Sequence, residues 1–301
     1  MSKQKQSKLD QTITLRDKRV LGYAEAGDPK GIPLFLFHGL NSSRLEVNIA
    51  HEAMLSAGIK CIGIDRPGVG LSTFKKDRTV LGFTEDVEAL ADHLAIDKFY
   101  VMAVSAGAPY VLACTYKIPH RIIACGIISG VAPVFTFGVE GMSKESRAFI
   151  LMAQKFPWII KYLFWFLHGR LSQDTSKEEA FLESIMFALD DVDKQFIGVP
   201  YVKRTLVKAF REGYKQGSKG VAYDGILAFG KPWGFVLEEI DFTPIHLWHG
   251  EKDKGIPLSM AKYMTQNLAG ATLKTYPKEG HLSIVFNQLD EILKDFLKRK
   301  Q

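Results

Sequence analysis

Two textures of apolar residues alternate along the first 130 positions. Short apolar runs, with Lys60 their one charged residue, occupy residues 33–37, 60–64, 99–104 and 122–128, each bounded by glycine or loop residues. A strand apolar at every position is buried on both faces, as in a parallel sheet covered by helices on each side. Between the runs, apolar positions recur at helical spacing, as in Val87, Leu90, Ala91 and Leu94. Residues 12–15 and 20–25, joined at Asp17-Lys18, predict a hairpin at the start of the sheet. Ser43 is placed to cap a helix ending at Gly58, with Glu46 at the capping-box position.

The alternation stops near residue 133. From there to 239 no buried strand pattern is evident, while helical periodicity and aromatic residues abound. Ser176 stands three residues before Glu179, the spacing of a second capping box. Strand and helix patterns then resume: strands at 245–248 and 272–276, helices at 259–268 and 283–298. This order predicts an α/β fold, a mostly parallel central sheet with helices on both faces and an inserted helical cap. The expected organisation is a polar leader at 1–11, a core formed by 12–132 with 240–301, and a cap at 133–239. The apolar stretch 156–167 contains Pro157 and Lys161 and falls far short of the roughly 20 residues that a membrane span needs. It reads as a buried or cleft-lining helix, and no transmembrane segment is expected.

Composition excludes little beyond this. The chain has 301 residues, 47% hydrophobic and 24% charged, which is enough apolar material for a large core. Its net charge is +6, yet the basic residues are dispersed and form no nucleic-acid arm. Lys203, Arg204, Lys208, Arg211, Lys215 and Lys219 are spaced to share one side of a helix and read as a solvated face. Cys61, Cys114 and Cys125 lie in apolar stretches without metal-type spacing, which favours buried thiols. With a leader that lacks an apolar signal region, they point to a cytoplasmic protein. The histidines are scattered and no phosphate-cradling glycine loop is present, so neither a metal nor a cofactor is expected.

The candidate chemistry centres on Ala103-Val104-Ser105-Ala106-Gly107. A strand runs into this serine and a helix leaves it with no loop between. Such a corner exposes the hydroxyl and places the next amide at a helix start, where donors are free. Asp253 and His281 follow the last two strands of the pattern. In open α/β sheets, reacting groups gather at the carboxyl ends of strands. Phe37-His38-Gly39-Leu40 follows another buried strand, so the Leu40 and Ala106 amides are candidate oxyanion donors. Asp65 and Arg66 are expected to pair and hold their own loop.

Taken in order, these pieces resemble the α/β-hydrolase-fold family, in its cap-bearing serine esterase form. The matching segments are Phe37-His38-Gly39, Asp65-Arg66-Pro67-Gly68-Val69-Gly70, Ser105-Ala106-Gly107-Ala108-Pro109, Gly250-Glu251-Lys252-Asp253 and Gly280-His281. Ala103 and Ala108 stand where the family usually has glycine. The resemblance implies a nucleophile at Ser105, a general base at His281, Asp253 rather than Glu251 to orient that base, and Leu40 and Ala106 as oxyanion donors. A serine at the elbow argues against epoxide opening and dehalogenation, which use aspartate there. The cap aromatics suggest an apolar pocket for a small-molecule ester or acyl substrate, with His38, Phe135, Trp158 and Phe164 as candidate lining residues. Two alternatives share the fold: a ligand-binding or receptor protein with little turnover, and acyl transfer, carbon–carbon hydrolysis or lyase chemistry on the same triad.

Overall fold

The computed structural model describes residues 8–139, 142–185 and 189–298; most of the predicted leader, residues 1–7, lies outside them. Eight strands form one sheet: β1 (Gln11–Thr14), β2 (Val20–Gly27), β3 (Ile32–Phe37), β4 (Ile59–Ile64), β5 (Phe99–Val104), β6 (Ile122–Ile128), β7 (Ile245–Gly250) and β8 (Thr272–Tyr276). Their order is β1-β2-β4-β3-β5-β6-β7-β8. β2 runs antiparallel to both neighbours, and every pairing from β4 to β8 is parallel. The fold is therefore the expected mostly parallel α/β sheet with an antiparallel hairpin at one edge.

The main helices are α1 (Val47–Ser56), α2 (Phe83–His93), α3 (Ala108–Lys117), α4 (Lys144–Lys155), α5 (Pro157–Phe164), α6 (Glu178–Ile185), α7 (Asp191–Ile197), α8 (Pro200–Gly213), α9 (Lys219–Phe229), α10 (Leu258–Asn267) and α11 (Ser283–Lys298). Side chains along a strand alternate between faces. Phe35, Phe37, Phe99, Val101 and Ala103 thus join residues of α2, α3 and α10 in one apolar cluster. Leu34, Leu36, Tyr100 and Met102 join residues of α1 and α11 in another. This two-sided burial explains why the strands read as apolar runs. All three cysteines are buried and free.

Helices α4 to α9 lie in the segment between β6 and β7 and form a third apolar cluster around Ile160, Phe164, Phe181, Phe210 and Tyr214. Four local expectations change. Ser43 caps only the short 3-10 turn Arg44–Glu46 that precedes α1, and the Glu46 carboxylate reaches Gly39 instead of closing a capping box. Asp174, not Ser176, caps the turn before α6, because its carboxylate accepts the Ser176 amide. Only Ile160 and Phe164 of α5 are buried, whereas Phe156, Trp158, Tyr162, Trp165 and Phe166 face solvent. The basic stripe is broken up, since α8 ends at Gly213. Lys203 pairs with Glu179, Lys215 with Glu212, Arg211 bonds the Ser172 and Asp174 carbonyls, and Lys219 lies over the Phe74 ring.

Candidate active site

Ser105 closes β5 at φ 55°, a left-handed conformation that a residue with a Cβ seldom adopts. A 3-10 turn, Ser105–Gly107, follows and leads directly into α3. The turn is tight because strand and helix nearly touch. A Cβ on Gly107 would lie 2.4 Å from the Phe37 carbonyl oxygen, so only glycine fits there. Ala103, at the position where glycine is usual, is fully buried in the core cluster without breaking the β3 pairing.

His281 and Asp253 meet across the loops after β8 and β7. His281 Nδ1–H donates to Asp253 Oδ2 at 2.6 Å, and the other carboxylate oxygen accepts the Ile256 amide at 2.8 Å. That arrangement fixes the tautomer that leaves Nε2 as the free acceptor. Burial disfavours the imidazolium, but the charge and hydrogen bond of Asp253, reinforced by Asp193 and Asp190, push the His281 pKa up to about 9. Glu251 faces solvent and accepts from the Thr275 hydroxyl. Its carboxylate has no part in the His281 contact.

The loop after β3 brings Gly39 beside the serine: a Cβ on Gly39 would stand 3.5 Å from the Ser105 Cβ. Its carbonyl is held by Arg66 Nη2–H at 2.9 Å and by the His38 Nδ1–H at 2.8 Å. Because the peptide is planar and trans, a pinned Gly39 carbonyl aims the Leu40 N–H the opposite way. Neither a turn nor a side chain takes up that N–H among the described residues. The Ala106 N–H lies in the opening turn of the helix, where donors have no internal partner. Glu46 completes the loop by accepting the Gly39 N–H at 3.1 Å. Burial raises the Glu46 carboxyl above its ordinary value, against the pull of its hydrogen bonds and of Arg66 and His281.

Arg66 and Asp65 do not pair with each other. Asp65 binds Arg44 at 2.8 Å, whereas Arg66 binds Asp224 of α9 at 2.7 Å and also donates to the His38 carbonyl. Successive side chains leave the β4 end in opposite directions, so each finds its own partner. Asp224 also receives Arg78, and the two guanidiniums outweigh burial to hold its carboxyl below the usual range. His38 is buried and its pKa falls well below the ordinary value, through burial and the Arg66 charge. It braces the loop as a neutral ring.

The other support comes from α7. Asp193 is buried, and its carboxylate accepts the backbone N–H groups of His281 (2.7 Å), Leu282 (3.0 Å) and Ser283 (2.8 Å) at the start of α11. A Cβ on Gly280 would lie 2.3 Å from Asp190 Oδ2, which explains the glycine before the histidine. Sequence reading missed Glu46, Asp193 and Asp224. Only Glu46 carried a signal, as a misassigned capping acid.

An apolar cavity lies between the sheet, α1, α8 and α11, with Leu36, Met102, Val104, Phe210 and Phe286 in its wall and Glu46 as its charged member. Ser105, Asp253 and His281 are not in its wall, and neither are the candidate lining residues His38, Phe135, Trp158 and Phe164. Phe135 and Trp158 are exposed and Phe164 fills the insertion's own core, because aromatic density in a sequence gives no direction for the side chains.

A model of the family described as alpha/beta hydrolase fold matches residues 32–288. The chain is 23% identical over 280 residues to an uncharacterized hydrolase, YcgS, of Bacillus subtilis (strain 168), covering 90% of this chain and 91% of the relative. It is 24% identical over 294 residues to a bifunctional esterase/perhydrolase of Acinetobacter calcoaceticus, covering 95% and 97%. Among solved structures, a thermophilic esterase from Thermogutta terrifontis superposes with a TM-score of 0.70 at 17% identity, over 96% of this chain and 98% of the other. That last likeness concerns the fold.

Proposed function

The chain belongs to the alpha/beta hydrolase fold family and is a hydrolase, and on that footing we propose that it is a serine esterase acting on small apolar carboxylic esters. The observation that carries this reading is the 2.6 Å bond between His281 Nδ1–H and Asp253, set among the same strand ends as a serine held at φ 55°. Esterase activity is also what is named for the Acinetobacter relative. No metal or cofactor enters the scheme.

Ser105 Oγ attacks the ester carbonyl while His281 Nε2 takes its proton, and Asp253 stabilises the imidazolium that forms. The Leu40 and Ala106 amides receive the oxyanion of the tetrahedral intermediate. The imidazolium then protonates the departing alcohol, leaving the acyl group on Ser105. Water, deprotonated by His281, releases the acid and restores the serine. Residues 133–239 act as the cap over a core of 12–132 and 240–301, and α7 holds the histidine loop through Asp193.

A serine-directed organophosphonate tests the assignment. Intact-mass spectrometry should show one adduct on the wild-type chain and none on Ser105→Ala, with turnover of short-chain p-nitrophenyl esters lost in parallel. An adduct elsewhere with Ser105 untouched would overturn it. A burst of product without steady turnover would favour the ligand-binding alternative.

A further inference from the structure

Helix α5 and the π-helical turn that continues it, Trp165–Gly169, are apolar on both sides. The inner side is spent on packing: Ile160, Phe164 and His168, spaced four apart, are buried against α6, α8 and α9. The outer side is not. Trp158 is 60% exposed, Tyr162 68% and Phe166 61%, and Phe156, Trp165, Leu167 and Leu151 are also exposed. The wider π turn makes this possible, because it presents Trp165, Phe166 and Leu167 outward in succession before His168 and Gly169 turn in. A helix that is hydrophobic all round is normally buried or immersed in lipid. Contiguous exposed apolar patches of this kind mark an interaction site.

Charge identifies the occupant. Between Glu145 and Asp174 the chain has no carboxylate but four exposed cations, Arg147, Lys155, Lys161 and Arg170. The insertion's ion pairs lie elsewhere, at Asp174–Lys177, Glu179–Lys203, Asp191–Lys194 and Glu212–Lys215 within it and from Glu212 and Asp224 to Arg44, Arg66 and Arg78 of the core, so these four are without acidic partners among the described residues. Arg170 instead lies over the Trp165 and Phe166 rings. Tryptophan, tyrosine and phenylalanine with lysine and arginine around them match the boundary between acyl chains and headgroups: aromatic rings sit at headgroup depth and the long cationic stems snorkel outward. An apolar face on a second copy of the chain would meet the same uncompensated positive charge.

We propose that α5 and the following π turn form a peripheral docking surface for an anionic lipid bilayer, with Trp158, Tyr162, Trp165 and Phe166 entering the interface and Lys155, Lys161 and Arg170 contacting headgroup phosphates. Binding here does not depend on the esterase reading. The surface would bring an apolar ester dissolved in a membrane to the enzyme.

The test is co-sedimentation of the full chain with vesicles of phosphatidylglycerol and phosphatidylcholine, against phosphatidylcholine alone, read together with tryptophan fluorescence. Trp233 and Trp248 are buried, so any emission shift comes from Trp158 and Trp165. Anionic vesicles should bind the protein, blue-shift its emission and release it as salt rises. Tyr162→Ser/Trp165→Ser/Phe166→Ser, and separately Lys155→Glu/Lys161→Glu, should each lower partitioning by about tenfold or more. Both variants should keep wild-type circular dichroism and turnover of a water-soluble ester. Binding without a fluorescence shift, or unchanged in both variants, would place the contact on another surface and overturn the proposal. So would the lack of vesicle binding at low salt, with or without self-association of the chain in sedimentation velocity.

Discussion

Replacing Asp193 by asparagine removes one charge from the underside of the histidine loop while keeping the side-chain shape. Three N–H groups donate to the carboxylate at 2.7–3.0 Å and, with the His281 charge, favour its ionised form against burial and the neighbouring Asp190, which push its pKa up. The amide offers one oxygen and turns an NH2 group toward an N–H, so at least one bond to a charged acceptor is lost at a helix N-terminus. At roughly 1.5–3 kcal/mol for such a bond, and a fraction of that again for the helix dipole, the cost is about 3 kcal/mol. Thermal unfolding should therefore fall by roughly 5 °C or more.

The electrostatic consequence is separate. His281 faces Asp253, Asp193, Asp190, Glu46 and His249, and its pKa stands at about 9. Only the neutral imidazole accepts the serine proton, so kcat/KM of the wild-type enzyme should climb with pH to a limb near that value. Loss of the Asp193 charge weakens the hold on the imidazolium, and the limb should move down by about one pH unit. The assay is kcat/KM for a soluble p-nitrophenyl ester from pH 5 to 10.5, beside a melting curve at pH 7. A limb that stays in place while the melting temperature falls would reduce Asp193 to a brace and refute the electrostatic part. If neither moves, the contact geometry itself is wrong.

Three further outcomes are expected. Asp253→Asn should cut turnover by about 10³-fold or more with circular dichroism unchanged, because the amide favours the wrong tautomer; Glu251→Gln, exposed and bonded only to Thr275, should change it little. Glu46→Leu should lower kcat by about tenfold to a hundredfold with a nearly unchanged KM, since it frees the Gly39 peptide that aims the Leu40 donor; a change confined to KM would make Glu46 a pocket residue. Because the folded pKa of His281 lies above its unfolded value of about 6.5, its stabilising contribution is complete below that pH. It is lost as pH rises toward about 9 and amounts to on the order of 3 kcal/mol. Chemical denaturation should show that decline in the wild type and a much flatter curve for Asp253→Asn.

Most of the sheet is legible from local pattern. An apolar run of five to seven residues between loop signals has one stable use in a sheet covered on both sides, and β3, β4, β5 and β6 each lie within a residue of the run that predicts them. The elbow is legible for a similar reason: strand, small residues and helix are contiguous in the chain, so Ser105 is forced into its corner by neighbours that a reader sees. Asp253 and His281 are named by position after a strand. Their 2.6 Å contact is not, since it spans 28 residues and depends on where two loops cross the sheet edge.

What the sequence by itself determined, then, is the content of the layers and the identity of the residues at the strand ends, because periodicity records which positions are dry. Partnership was decided by the tertiary structure. Glu46 has the spacing of a capping acid but binds Gly39, as the short turn before α1 carries it toward the loop after β3. Asp193 reaches His281 across 88 residues and Asp224 reaches Arg66 across 158, and nothing near either acid in the chain marks its partner. The direction of the aromatic helix was equally hidden. A helix apolar on every side has lost the periodicity that tells inner from outer, so only packing reveals that Ile160 and Phe164 face the core while Trp158 and Tyr162 face out.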